Sequence, residues 1–212
     1  MSGHFLRRTV LPLVLGVALS SCASPPVRYY SLVSPSLPAA SGPARMLVEV
    51  LPVAVPERIN RTDMVLNGAD GRLDIRQTDR WAALPADEIG LLVDEALWRR
   101  LAAADSYRAP QPVVAGGVPQ YRLALHVERF DAGVKAVVDA SWIVRRLPQG
   151  PSATCRAQIT APVPAPGPDG AAGALADAAG RLAVLVADSV GRLDQADADA
   201  CPRQGDDLLI GG

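Results

Sequence analysis

The stretch from Gln120 to Thr160 most constrains the fold of this 212-residue chain, because apolar and polar residues alternate along it and the interruptions carry turn chemistry. Tyr121, Leu123, Leu125 and Val127 alternate with Arg122, Ala124, His126 and Glu128, the period of a strand with one buried face. Asp131-Ala132-Gly133 supplies a turn with glycine where a positive φ is wanted. The next strand carries Ala136, Val138, Ala140, Trp142 and Val144 on one face. Leu147-Pro148-Gln149-Gly150 then has proline and glycine where a type I turn prefers them, returning the chain into Ser152 to Thr160. Three strands joined by short turns make an antiparallel meander.

Two segments change period to that of a helix. Between Pro85 and Ala104, residues Ile89, Leu92, Val93, Ala96, Leu97 and Leu101 share a stripe, and Asp87 and Glu88 sit near the positive helix end behind a first-turn proline. From about Ala171 to Leu193, residues Leu175, Ala178, Leu182, Leu185, Val186, Val190 and Leu193 recur at spacings of three and four, with small residues between them that suit close packing on a sheet. Shorter strands are expected at Arg28 to Val33 and Met46 to Val50, and as a hairpin of Asp63 to Leu66 with Leu73 to Arg76. Ser34 to Pro43, rich in proline and serine, reads as an exposed loop. The expected fold class is α/β: one domain with an antiparallel meander and two long helices. There is no internal repeat.

The N-terminus has the parts of a secretory signal: Arg7 and Arg8, an apolar run from Val10 to Leu19, and small residues before Cys22. The apolar run is about half of what a spanning helix needs. Leu19-Ser20-Ser21-Cys22 is what the processing machinery of bacterial lipoproteins reads, which makes Cys22 the lipid-bearing first residue of the mature chain, with S-diacylglycerol and N-acyl groups; the bland alternative is an ordinary signal in which Cys22 is incidental. The layout is then a signal peptide at 1–21, a lipid-anchored tether at 22–27, an α/β domain at 28–195 and a C-terminal tail at 196–212.

The signal removes two of 21 basic residues and none of 22 acidic ones, so the mature chain is mildly acidic and lacks the concentrated basic face that nucleic acid requires. Cys155 and Cys201 remain, in a compartment where two thiols can oxidise and stay oxidised. Either they pair, tying the tail to a strand, or they stay as free thiols.

Catalytic chemistry is sparse. His126 is the one histidine of the mature chain, and a lone histidine on an alternating strand is far more often a surface or structural residue than a base. No Gly-x-Ser-x-Gly elbow or paired-histidine zinc motif occurs, so no metal and no cofactor are expected. Gly167-Pro168-Asp169-Gly170-Ala171-Ala172-Gly173 superficially resembles a phosphate loop, but it has the wrong spacing for a dinucleotide fingerprint and no lysine, and reads as a loop and helix start. Trp81 either packs back onto Ile89 or Leu92 as a hydrophobic staple or presents an anchor to a partner.

In order along the chain, the lipoprotein cysteine, Tyr29-Tyr30-Ser31-Leu32, Val48-Glu49-Val50-Leu51-Pro52-Val53 with Pro56, Arg61 and Met64-Val65, Arg80-Trp81-Ala82 before the leucine-rich helix, and Tyr121-Arg122-Leu123 through Phe130 with Trp142 resemble the PqiC (YmbA) family of ABC-type transport auxiliary lipoproteins. The chain departs from that pattern at Ile59-Asn60-Arg61, where the family commonly has a tyrosine or leucine and an aspartate before the arginine. The resemblance implies an α/β sandwich with a mixed β-sheet, similar to the N-terminal domain of TolB. It also implies a non-enzymatic role with an inner-membrane permease and a tunnel-forming, PqiB-like MCE-domain protein in moving lipid across the periplasm. Trp81 and Arg61 become candidate partner contacts, and a homo-oligomer matching a ring-shaped partner is expected. Ala23, rather than the aspartate that favours inner-membrane retention in enteric bacteria, points to the outer membrane, with the domain facing the periplasm. The competing reading is a lipoprotein adaptor or activator of another periplasmic assembly, such as a peptidoglycan synthase.

Overall fold

The structure, a computed structural model, describes residues 25–32, 42–68, 71–108, 117–197 and 199–203. The signal segment, Cys22, most of the 34–43 loop and the tail beyond 203 lie outside the described residues. In chain order the elements are β1 (Arg28–Tyr30), β2 (Met46–Val50), β3 (Asp63–Asn67), β4 (Leu73–Trp81), α1 (Pro85–Leu101), β5 (Ala103–Asp105), β6 (Gln120–Ala132), β7 (Lys135–Arg146), β8 (Ser152–Pro162) and α2 (Pro168–Asp194).

The meander is built as its alternation dictates. β6 and β7 pair antiparallel with Leu125 opposite Trp142, and β7 and β8 with Trp142 opposite Cys155, so one face carries Tyr121, Leu123, Leu125, Val138, Ala140, Trp142, Val144, Cys155 and Ile159, all buried. A bulge between Val127 and Arg129 resets the alternation, which is why Val127 and Phe130, three apart, both point inward. β2 adds parallel to β6 and β5 parallel to β2, giving a mixed five-stranded sheet in the order β5-β2-β6-β7-β8. The turn after β7 departs from the type I expectation. Its peptide bond Leu147–Pro148 is cis, and the closing hydrogen bond runs from Gly150 N–H to Arg146 C=O, across four residues.

Both helices cover the apolar face of this sheet: α2 lies over β6, β7 and β8, and α1 packs on α2, β5 and β2. α2 is long and apolar enough to cross a membrane, yet most of that stretch is buried against the sheet, which accounts for its composition as a core helix. α1 ends earlier than the periodicity suggests. Ala102 takes a left-handed conformation (φ 50°, ψ 41°), its N–H returns to Trp98 C=O, and the next three residues become β5. Alanine favours helix, but the open edge of β2 offers these backbone groups a ladder, and tertiary pairing overrides propensity.

The remaining strands form a second, three-stranded sheet, β1-β4-β3, rather than joining the first. β1 is parallel to β4, with Arg28 opposite Asp79 and Tyr30 opposite Trp81; it stops at Tyr30, short of the expected Val33. Ser31 Oγ and Leu32 N–H donate instead to the buried Glu88 carboxylate of α1, at 2.7 and 2.8 Å. Trp81 packs edge-to-face on Phe130, ring centroids 6.0 Å apart, and links the two sheets.

The Gly167–Gly173 segment has a steric explanation. Gly167 has φ 105°, a conformation that favours glycine, and the carbonyl oxygen of Ala165 occupies the space a Cβ at Gly170 would need. The tight entry into α2 accounts for Gly167 and Gly170.

Candidate docking site

A groove of about 530 Å³ opens where the end of β2, the start of α1 and the turn after β5 meet. Leu84, Leu91 and Tyr107 line it while 36, 44 and 50% exposed, three apolar side chains gathered at one hollow rather than scattered. Pro52 and Val53 form its inner wall and Asn60 borders the helix start.

Its walls are held by polar groups the alternation patterns do not reveal. The Asp105 carboxylate, buried, accepts from Val50 N–H at 3.2 Å and Tyr107 N–H at 2.8 Å, fixing the turn that carries Tyr107 to the end of β2. Arg108 lies 3.8 Å from the same carboxylate and rests over Gly90 of α1, where any side chain would meet its guanidinium. Burial, and then the nearby Asp105, push the Asp94 carboxyl above its usual range.

The helix start has an unusual cap. Leu84, in the N-cap position, has no side-chain oxygen to offer, and Pro85 removes one orphan N–H. Asn60 Oδ1 accepts from the N–H of Ala86 at 3.4 Å, a long bond that caps α1 from a distant loop. Next to it, Arg61 donates to Asp63 Oδ2 at 2.6 Å while Arg80 grips Asp63 Oδ1 through Nε and Nη2 at 3.1 and 2.9 Å. The Arg61 guanidinium first, and Arg80 after it, hold the Asp63 carboxyl below the usual carboxylate range. Arg61 remains 43% exposed at its side chain, available at the surface beside the groove.

Trp81 sits elsewhere. It is 3% exposed, with its indole against Phe130, so the surface-anchor reading is corrected: its area is spent inside its own domain, on Phe130. Cys155 and Cys201 are joined as a disulfide, Cα atoms 5.2 Å apart, connecting β8 to the tail. Arg192 donates to Cys201 C=O at 2.9 Å and holds the tail from the α2 side. His126 is exposed on the uncovered face of the five-stranded sheet, in register with Ser141, whose hydroxyl donates to Glu128 at 2.7 Å. Among the described residues, no group of three or more His, Cys, Asp or Glu side chains is placed to hold a metal ion.

β1 runs along β4 toward the groove end. Because β1 is parallel to β4, the chain upstream of Arg28 heads toward Leu73, about 20 Å from Asp79 at the usual rise per residue, whereas Leu84 follows the Trp81 end. Arg28 fixes this direction: Nε and Nη2 lie 2.8 and 2.7 Å from Asp79 Oδ1, and Nη1 lies 2.9 Å from Asp169 at the start of α2. Tyr30 donates to Asp169 Oδ1 at 2.8 Å, and burial, with that bond second, pushes its phenol up to about 12.

Two crystal structures share this fold. One, of an uncharacterized protein, is 18% identical and aligns over 78% of this chain and 99% of its own with a TM-score of 0.62. The other, protein XCC0632 from Xanthomonas campestris, is 15% identical over 80% of this chain and 99% of its own, also with a TM-score of 0.62. No curated protein matches the sequence. The family model for the ABC-type transport auxiliary lipoprotein component matches residues 30–187, a span from β1 through most of α2 that includes the groove and the Arg61 loop. The chain therefore belongs to the ABC-type transport auxiliary lipoprotein component family, a transport family and not an enzyme class.

Proposed function

We propose that this protein is the outer-membrane lipoprotein of an MCE-type intermembrane lipid transport system, moored through acylated Cys22 with its domain facing the periplasm. Its groove end docks a tunnel-forming MCE-domain protein that works with an inner-membrane permease. One observation carries this reading beyond the family: β1 enters its parallel pair with β4 at Arg28 and runs toward the end where Leu84, Leu91 and Tyr107 line the groove. A body held from the Arg28 side presents the groove to the periplasm. Exposed Leu and Tyr side chains, with a guanidinium nearby, suit an apolar segment carrying an acidic group. The protein acts without catalysis, as an adaptor, and a homo-oligomer would match a ring-shaped tunnel.

The test places a photo-crosslinking residue at Leu91 in the lipidated protein in its own membranes and identifies the captured chain by mass. Capture of an MCE-domain protein, weakened by Arg61→Glu, is expected. Capture of a peptidoglycan synthase would replace this reading with the adaptor alternative.

A further inference from the structure

We infer that the end of the domain formed by the β6–β7 turn and the tip of the β3–β4 hairpin rests on the bilayer, with the β6–β7 turn dipping into its interface. This rests on the reading of Cys22 as the lipid-bearing residue and adds which surface the anchor holds against the membrane.

Four apolar side chains are exposed at or toward this end. Val134, at the tip of the β6–β7 turn, is 97% exposed, and Leu73, Ile75 and Val27 are each close to half exposed. The tips belong together, since the position of a Cβ at Gly133 lies 3.8 Å from Asn67 Cβ at the end of the β3–β4 hairpin. Between them opens a gap of about 650 Å³, lined by Leu66, Val134, Val163, Pro166 and Ala171 and mainly apolar in its side chains. No described segment covers it.

The connection to Cys22 is short. Only five residues separate Cys22 from Arg28, so the Cys22 backbone lies within about 20 Å of Arg28 whatever path it takes. The parallel register of β1 aims that short piece along β4 toward Leu73, the level of the exposed tips. A bilayer holding the acyl chains is thus kept within about 20 Å of Arg28, on the side toward which the register directs the chain.

The charges fit a phospholipid surface. Arg72 and Lys135, the one lysine of the chain, are exposed beside the two tips, where long basic side chains can keep their heads among phosphates. The nearby acids are occupied by arginines: Asp74 by Arg76 at 3.0 Å, Asp131 by Arg129 at 2.9 Å and Asp169 by Arg28 at 2.9 Å.

The experiment uses the full lipidated protein reconstituted in vesicles of phosphatidylethanolamine and phosphatidylglycerol containing a nitroxide lipid. One variant, Val134→Cys, carries an environment-sensitive fluorophore at the tip; a second, Ile143→Cys, carries it nine residues later in the chain, on the open sheet face of β7. Both positions are exposed, so neither label disturbs the core. At least about threefold stronger quenching at position 134 than at 143 is expected for a turn within the interface. Equal quenching from protein that floats with the vesicles would overturn this inference and leave the anchor standing. Protein that does not float, and takes up no labelled palmitate, would overturn the anchor reading and this inference with it.

Discussion

Arg28 lies against the carboxylate of Asp79, Nε to Oδ1 2.8 Å, and this one pair sets the direction in which the N-terminal connection leaves the domain. Asp79 is 4% exposed, so its charge is compensated almost entirely by Arg28, with Tyr30 Oη a distant second donor at 3.4 Å. β1 has only three residues, too few to hold its place by ladder hydrogen bonds alone.

Asp79→Ala should therefore release β1 without unfolding the five-stranded sheet. Amide exchange at Tyr30 should accelerate by about tenfold or more while Val138 and Leu182 keep their protection. Equal acceleration in all three would mean that β1 is integral to the global fold.

Asn60 caps α1 through a long, neutral hydrogen bond to Ala86. An aspartate there adds a negative charge at the positive helix end, so Asn60→Asp should raise stability by about 0.3–1 kcal/mol, and Asn60→Ala should lower it by about 1 kcal/mol. Urea unfolding of the three proteins checks the order.

Tyr121 Oη donates to Asp194 at 2.6 Å, joining the start of the meander to the end of α2. Burial, then this bond, push its phenol up to about 12, above the value of about 10 expected in the unfolded chain. The sign follows: the neutral phenol is the form the fold favours, so its contribution is fully present below about pH 10 and is lost as pH rises toward 12. Unfolding free energy should fall through that window, and Tyr121→Phe should show a shallower fall. Tyr30 shifts in the same direction and supplies the remaining slope.

The Cys155–Cys201 disulfide closes a loop with a sequence separation of 46. Restriction of the unfolded chain over that span corresponds to about 4 kcal/mol, so Cys201→Ser should lose about that much, and reductant should bring the wild type down to the same level. An alkylatable Cys201 in oxidised periplasmic protein would show that the bond does not form there.

Gly170→Ala should destabilise by roughly 2–4 kcal/mol, because the Ala165 carbonyl stands in the way of the new methyl group and is backbone rather than a movable side chain. Gly173→Ala, three residues on in the same helix with open space around it, should instead stabilise by about 0.4–1 kcal/mol. Thermal unfolding of the pair separates steric need from helix propensity.

Legibility in the primary structure tracked the range of the forces involved. β2, the meander and both helices came from periodicity because each buries one face, and burial imposes a period of two or 3.6 on neighbouring residues. The helical pattern runs past the end of α1 because Ala102, Ala103 and Ala104 carry no punctuation; the strand conformation of Ala103 and Ala104 comes from the free edge of β2, more than fifty residues upstream. β4 extends to Trp81, past the expected Arg76, for a related reason: its far half pairs with β1, a distant segment.

The candidate site divides in the same way. Arg61 stood out by its place in an ordered set of motifs, whereas Leu84, Leu91, Tyr107 and the buried Asp105 belong to three separate segments and share no spacing. Trp81 was visible as an aromatic residue of consequence, but whether it faced a partner or the core depended on Phe130, 49 positions later in the chain.

Local order thus told of an α/β domain with a meander and two covering helices, since one-sided burial acts on adjacent residues. The split into two sheets, the parallel docking of β1 and the gathering of the groove's lining arose in folding. They depend on ion pairs and backbone ladders between residues far apart in the chain, whose partners are chosen by packing rather than by spacing.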